Sequence, residues 1–259
     1  MNLEALLNKF QIKKGDKIII TSNIVKILTK FKNKKINFDP NILINILKKK
    51  IGKEGTLMFP AYNWDFCKGK TFEYNKTSSQ SGALGNIALK RKDFLRSSNP
   101  IYSFAVTGKD KVKICNLKHL DCFSLNSPFG YLIKNKGKNL FIDLNQRVFD
   151  ETKLSGFTFH HVIEQAVKVP YRYFKEFEGY YINRQKLKKL VKVKFYARNL
   201  KFKYRIFISK KLDDELLKKK LLKREAFKGI DWDLVDLQNT FKILTKDLKT
   251  KKKFFIKKY

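Results

Sequence analysis

Cysteine, histidine, arginine and acidic residues are all scarce in this 259-residue chain. The three cysteines, Cys67, Cys115 and Cys122, form no Cys-x-x-Cys pair and leave an odd count. That excludes a cysteine-based structural zinc and points to a reduced, cytoplasmic protein. No apolar stretch approaches the ~18 residues that spanning a bilayer requires, so no membrane span is expected. Met1 to Phe10 carries Glu4 and Lys9 and no continuous apolar run, which is unlike a secretory signal. With no repeat and no low-complexity linker, residues 1–259 are expected to form a single domain.

Acidic residues number 23 against 58 basic ones, for a net charge of +35. Clustered cations release counterions from a phosphate backbone, so such a charge invites a nucleic-acid reading. Only eight of the basic residues are arginine, however, and the lysines are spread over the whole length without a recognised reader motif. The bias resembles genome composition more than a binding code, and no nucleic-acid partner is expected. A positive field that attracts anionic ligands, such as coenzyme or nucleotide phosphates, is the milder consequence.

What the chain does have is a core: hydrophobic residues are 43% and aromatics 14%, enough at this length for one large α/β fold. Leu3 to Phe10 has helical spacing, and Lys17 to Ile20 reads as a buried strand followed by Thr21-Ser22-Asn23 and a helix over Ile24 to Phe31. Small polar residues at a strand-to-helix junction either meet a ligand or cap the helix. Pro40 to Ile51 is a second helix, with proline near its first turn and Gly52 near its end. Gly55 to Pro60 is a second strand, and the aromatic loop Ala61 to Phe66 that leaves it either stacks on a ligand or folds onto the core.

Thr77 to Asn86 is a small-residue entry to a helix ending near Arg91, with neither phosphate-loop nor dinucleotide spacing. Arg96 then stands free to clamp an anion or to lie on the surface. Strands are expected over Tyr102 to Thr107 and Asn139 to Leu144, with a short helix opening at Ser127-Pro128-Phe129-Gly130. The tail has strand-like stretches at Lys192 to Tyr196 and Tyr204 to Ile208, then helical patterns at Leu212 to Ala226 and Leu234 to Leu248.

Two of the three histidines fall in Gly156 to Gln165, expected to be helical from about Phe157 to Lys168. Thr158, His161 and Glu164 recur at i, i+3 and i+6, so adjacent members share a helix face, ~5–6 Å apart at Cβ. A carboxylate at that distance orients an imidazole as a general base, or the two form an ordinary surface pair. His160 is expected about 100° away on the helix, packing or capping elsewhere. His119, between Leu117 and Leu120, reads as structural.

In their order, Gly15-Asp16, Thr21-Ser22, Gly55-Thr56-Leu57 with Pro60, Gly82-Ala83-Leu84-Gly85, Arg96-Ser97 with Pro100, Ser103-Phe104, Ser127-Pro128-Phe129-Gly130 and Thr158-x-x-His161-x-x-Glu164 resemble the aminoglycoside 3-N-acetyltransferase, or antibiotic N-acetyltransferase, family. The likeness runs from about residue 10 to 180. It implies an α/β fold with a central mixed β-sheet flanked by helices on both faces. The implied reaction carries an acetyl or other short acyl group from coenzyme A to a primary amine, without a metal.

The resemblance further implies His161 as base, Glu164 as its orienting carboxylate and Thr158 as a holder of water or substrate. Coenzyme A would lie along Thr21, Ser22, Arg96, Ser97 and Ser103, with Ser127 and Phe129 nearby. The chain departs from the family at Asn23, in Thr21-Ser22-Asn23 where His-Ser-Ser is usual, and at Asn99, where a histidine is common before the proline. The run through Val169-Pro170-Tyr171-Arg172-Tyr173 with Lys175, Phe177 and Gly179 looks more like members that acylate bacterial sugars. The amine expected is therefore an amino sugar linked to a nucleotide, with an aminoglycoside as the alternative.

Overall fold

The computed structural model describes residues 3–33, 39–144, 158–202, 206–208, 210–227, 229–250 and 256–258. Helix α1 (Leu3–Lys9) leads through a turn at Gly15, φ 86°, to strand β1 (Lys17–Ser22) and helix α2 (Ile24–Asn33). Helix α3 (Pro40–Ile51) begins where expected: the Asp39 side chain caps Asn41 N at 2.8 Å, proline occupies the first turn, and Gly52 at φ 64° ends it. Strand β2 (Thr56–Pro60) is wholly buried.

A 3-10 turn at Asp65–Lys68 and strand β3 (Phe72–Glu73) follow, then helix α4 (Ala83–Leu89), strand β4 (Leu95–Arg96) and strand β5 (Phe104–Gly108). The last starts two residues later than expected, because the Asn99 side chain accepts the backbone N–H groups of Ile101 and Tyr102, both at 2.9 Å, and holds them in a turn. Helix α5 (Lys111–Cys115), helix α6 (Pro128–Lys134), strand β6 (Lys138–Ile142) and helix α7 (His160–Ala166) lead to the long hairpin of β7 (Arg172–Ile182) and β8 (Lys188–Arg198). The chain continues through β9 (Ile206–Ile208), α8 (Lys210–Lys218), β10 (Leu222–Phe227), β11 (Ile230–Asp236), α9 (Leu237–Lys249) and β12 (Ile256–Lys258).

The main sheet has seven strands in the order β10-β11-β6-β1-β2-β5-β4. Strand β1 runs parallel to β2 and β6, and the other pairings are antiparallel, so the sheet is mixed. Side chains alternate across it. Ile18 and Ile20 of β1 pack with Leu57 and Phe59 beneath α1, α2, α3 and α4. Ile19, Met58 and Phe141 face the opposite side, where α6, α7 and α9 cover them together with residues of the β7–β8 hairpin. A smaller sheet, β3-β7-β8, pairs β7 with β8 over their whole length from Arg172↔Arg198 to Ile182↔Lys188.

Two expectations for the tail fail. The helix expected over residues 212–226 stops at Lys218, and Leu222–Phe227 is a strand. The helix expected from Leu234 begins at Leu237, after Leu234 to Asp236 have finished β11. The cause is cross-strand: Arg224 of β10 grips Asp233 of β11 with two bonds of 2.7 Å, and Asp236 then caps α9 by accepting Asn239 N at 2.8 Å. Helical periodicity carries no trace of a partner on another strand.

Candidate active site

The parallel strands β1, β2 and β6 place their C-terminal ends along one edge of the sheet, where ligands commonly meet α/β folds. The site is built there from three pieces of chain. Thr21 and Ser22 end β1, partly exposed, just before the first turn of α2. The 79–82 loop reaches both neighbours: Gly82 packs against Ser22 O, and Ser81 Oγ accepts Tyr62 N at 3.0 Å. Tyr62 follows the end of β2, and its phenol hydrogen-bonds to the Thr158 side chain. The close approach of this loop needs glycine at position 85, where a Cβ would lie 2.1 Å from Pro60 O.

Helix α7 supplies the polar centre. Its apolar residues Val162 and Ile163, with Phe159 just before, sink into the core, which leaves Thr158 and His161 half-buried beside Glu164. The helix is shorter than expected, starting at His160; Gly156 and Phe157 lie outside the described residues. His161 Nδ1 lies 3.3 Å from Glu164 Oε2, the geometry that the three-residue spacing predicts. The Phe123 ring, 4.9 Å from the imidazole, closes one side.

Glu164 is 4% exposed and richly partnered. Tyr171 donates its hydroxyl to Oε1 at 2.7 Å, and Arg172 Nε forms an ion pair with Oε2 at 2.7 Å. Arg172 also donates from Nη1 to Tyr196 O at 3.0 Å, which ties α7 to the start of the β7–β8 hairpin. Tyr171 and Arg172 enter the sequence reading only as part of a resembling run, because α7 ends at Ala166 and helical spacing says nothing of where the chain goes beyond it.

His160 corrects the expectation that it packs elsewhere. Its ring centroid is 3.8 Å from that of His161, and its Nε2 is 3.9 Å from Glu164 Oε2. Positions i and i+4 are helix neighbours as surely as i and i+3, so both imidazoles reach the same carboxylate. His160, His161 and Glu164 thereby bring three metal-ligating atoms within 4.8 Å. The set fits a cation poorly, since the carboxylate already serves Arg172 and Tyr171 and the guanidinium would repel an incoming ion.

Burial pushes the His161 imidazole below its ordinary value, to about 3; His160 and Arg172 act in the same direction and the Glu164 hydrogen bond opposes them. Burial alone would raise the Glu164 carboxyl, but the bond to His161 and the charges of His160 and Arg172 outweigh it and hold the group at about 2. At neutral pH the pair is a carboxylate and a neutral imidazole. With Nδ1 turned to Glu164, the tautomer that donates there leaves Nε2 as a proton acceptor.

Other residues singled out in the sequence are spent on the scaffold. Arg96 is 3% exposed, with its guanidinium bonded to Ser103 Oγ at 3.0 Å, Ala61 O at 3.1 Å and Thr77 O. Ser103 Oγ donates to Ala61 O at 2.7 Å, and Ser97 Oγ accepts Phe104 N at 2.9 Å. Ser127 caps α6, and Phe129 is buried with its ring 5.0 Å from that of Phe104. Thr21 donates to Asn139 Oδ1 at 3.0 Å. His119 is structural as expected, its Nδ1 2.9 Å from Asp121 O. Arg96 also lines a cleft of about 500 Å³ together with Lys90, Lys92 and Arg184, but Thr158, His161 and Glu164 do not reach it.

The aromatic loop folds inward: Tyr62 and Phe66 are buried, and Trp64 keeps 38% of its surface, with Nε1 3.4 Å from Tyr102 Oη. Among the described residues no helix is long and apolar enough to cross a membrane.

The fold has close structural counterparts. It matches AAC-IIIb in a binary complex with CoASH, at 17% identity and TM-score 0.72 over 95% of this chain and 94% of that one. It also matches AAC-VIa bound to sisomicin, at 13% identity and TM-score 0.74 over 95% and 96%. The YokD protein from Bacillus subtilis matches at 19% identity and TM-score 0.69 over 94% and 96%. No curated protein sequence matches the chain significantly. The sequence model described as aminoglycoside 3-N-acetyltransferase matches residues 29–249, most of the chain, which therefore belongs to that family of acetyl-CoA-dependent acetyltransferases.

Proposed function

We propose that this enzyme acetylates the primary amine of an amino sugar, with His161 as the general base, Glu164 as its orienting carboxylate and Thr158 as a holder of substrate or water. The observation that carries this reading is the His161–Glu164 contact of 3.3 Å, in a half-buried position beside the ends of the parallel strands. A free alkylammonium has a pKa near ~10, far above that of His161, so the amine must meet the thioester in its neutral form. As nitrogen bonds to the carbonyl carbon its remaining proton becomes strongly acidic, and His161 Nε2 is placed to accept it. The proton then leaves with the thiol as the carbon–sulfur bond breaks. A base so positioned contributes roughly 10²–10⁴ in rate. All three cysteines are buried or half-buried, and burial raises each thiol, outweighing Lys175 near Cys67 and Lys111 and Arg184 near Cys115, which favours direct attack over an acyl-enzyme.

Acetyl-CoA suits the groove at Thr21 and Ser22, where partly exposed hydroxyls precede the N-terminus of α2, a favourable place for phosphate. Arg96, Ser97, Ser103, Ser127 and Phe129 act behind that groove as its supports. We further assign residues 1–259 to one acyltransferase domain and the enzyme to the cytoplasm, in keeping with three free cysteines.

An amino sugar linked to a nucleotide is the preferred acceptor. A polycationic aminoglycoside wants free carboxylates, whereas Glu164 is neutralised by Arg172, and Asp121 is engaged by Gln165 and by Phe123 N. Favouring an aminoglycoside are the relatives whose structures contain sisomicin and apramycin. Incubation with acetyl-CoA and a panel of both compound classes, reading released thiol, decides between them. Thiol release with aminoglycosides alone would overturn the preference. Near-native turnover by His161→Ala would overturn the base.

A further inference from the structure

We propose that Arg172 is a positioning residue that cancels the charge of Glu164, so that the carboxylate orients His161 without drawing a second proton onto the imidazole. This rests on the general-base reading above. The difficulty it addresses is physical. A carboxylate beside a histidine stabilises the imidazolium, and a protonated His161 has no lone pair with which to relieve an attacking amine. An orienting carboxylate therefore raises the pH below which the base that it orients is already protonated, unless its charge is balanced by a group that cannot lose a proton.

Arg172 meets that requirement. Arginine stays charged at all working pH values. Its side chain is 9% exposed, its Nε lies 2.7 Å from Glu164 Oε2, and its Nη1 is anchored 3.0 Å from Tyr196 O, so the cation is held rather than tethered loosely. Tyr171 fixes the other oxygen at 2.7 Å and adds no charge, since burial and Glu164 both raise its phenol. Glu164 Oε2 thus faces one fixed cation and two imidazole nitrogens, of His161 at 3.3 Å and His160 at 3.9 Å.

The charged and titratable groups facing His161 are few. From α7 they are His160 and Glu164, and from the start of the hairpin they are Arg172 and, behind Glu164, Tyr171; Phe123 contributes an uncharged ring. Among the described residues Glu164 favours a charged His161, and Arg172 and His160 oppose it. Removing the arginine leaves the carboxylate uncompensated. The sign follows: His161 becomes more basic, is protonated at higher pH, and the acid limb of its activity moves upward.

The first measurement needs no substrate. Long-range proton–nitrogen spectra of histidine-labelled enzyme report the protonation state and tautomer of each ring. In the native enzyme His161 is expected to remain neutral, with its proton on Nδ1, down to pH 5. In Arg172→Gln its titration is expected to move upward from the native position, toward but still below the ordinary histidine value of ~6.5, because burial and His160 continue to depress it. Arg172→Lys, which keeps the charge, should remain near native and also serves if the glutamine variant does not fold. An unchanged His161 titration in Arg172→Gln, or an equal shift in both variants, overturns the proposal.

The second measurement is kcat/KM against pH from 5 to 8. Arg172→Gln should gain an acid limb that Arg172→Lys lacks, whereas a merely structural role would lower the whole profile without moving it. His161→Gln separates the two claims: if it stays active the base reading falls, while the spectra still decide what Arg172 does to the imidazole.

Discussion

Arginine and carboxylate groups cluster both at the tail and at α7, with opposite stoichiometry. At the tail, Arg224 is shared by two carboxylates, gripping Asp233 through two bonds of 2.7 Å and Asp213 through one of 3.0 Å, and no histidine approaches. At α7 one carboxylate, Glu164, is shared by Arg172, Tyr171 and His161. In the first cluster burial raises the Asp233 carboxyl even though Arg224 pulls it down. In the second the carboxyl is held at about 2 despite its burial, and the titratable nitrogens beside it are those of His161 at 3.3 Å and His160 at 3.9 Å. Both clusters join separate elements. Of the two, the α7 cluster is the one with an imidazole whose neutral ring can accept a proton from a reacting amine.

The comparison breaks most sharply in turnover. His161→Gln is expected to lose ~10²–10⁴ in kcat by thiol release, with its melting behaviour retained. Asp233→Asn is expected to keep native turnover. An Asp233→Asn enzyme as inactive as His161→Gln would erase the distinction.

Stability separates the clusters next. Glu164→Ala strands the buried Arg172 cation and should cost about 3–5 kcal/mol in denaturant unfolding. Asp233→Asn leaves Arg224 paired with Asp213, and with 36% of the Arg224 side chain exposed the cost should be only about 1 kcal/mol.

Acid supplies a test of sign. The folded-state value for Glu164 is below its usual 4.5, at about 2, so its stabilisation is present above pH 4.5 and is lost as pH falls toward 2. That depression corresponds to about 3 kcal/mol. His161, depressed from 6.5 to about 3, loses stability in the same direction, beginning near pH 6.5. Asp233 has a raised value, so its contribution runs the other way, improving as pH falls. Unfolding free energies from pH 6.5 to 3 should therefore decline less steeply in Glu164→Gln than in the native enzyme, and slightly more steeply in Asp233→Asn.

The smallest effect expected is that of His160→Gln. At 3.9 Å from Glu164 and partly exposed, His160 should contribute about 1 kcal/mol or less, under fivefold in kcat. A loss comparable to that of His161→Gln would make the two rings a unit.

Much of the fold was legible along the chain. Helix α3 could be read residue for residue because its cap, proline and glycine are local signals. Strands β1 and β2 were legible because central parallel strands are continuous apolar runs. The long strand β7 was not, since its solvent face carries Phe174, Glu176, Glu178 and Tyr180, a mixture without clean alternation. At the site, the His161–Glu164 contact followed from helical spacing alone. The side chains of Arg96, Ser97 and Ser103 are bonded to one another or to the backbone, a placement that the sequence did not foretell. Nothing in their types distinguishes a hydroxyl facing a groove from one spent on a carbonyl oxygen.

The sequence by itself therefore determined the local elements of the central sheet, the pairing of His161 with Glu164 three residues on, and the family to which the chain belongs. Tertiary structure alone decided that Tyr171 and Arg172 return to the same carboxylate, that His160 joins His161, and that the tail makes strands where its periodicity suggested helices. The physical reason is common to all three. Each depends on an electrostatic or hydrogen-bonding partner brought close by chain folding, and local residue spacing cannot specify the balance of charge around a buried atom.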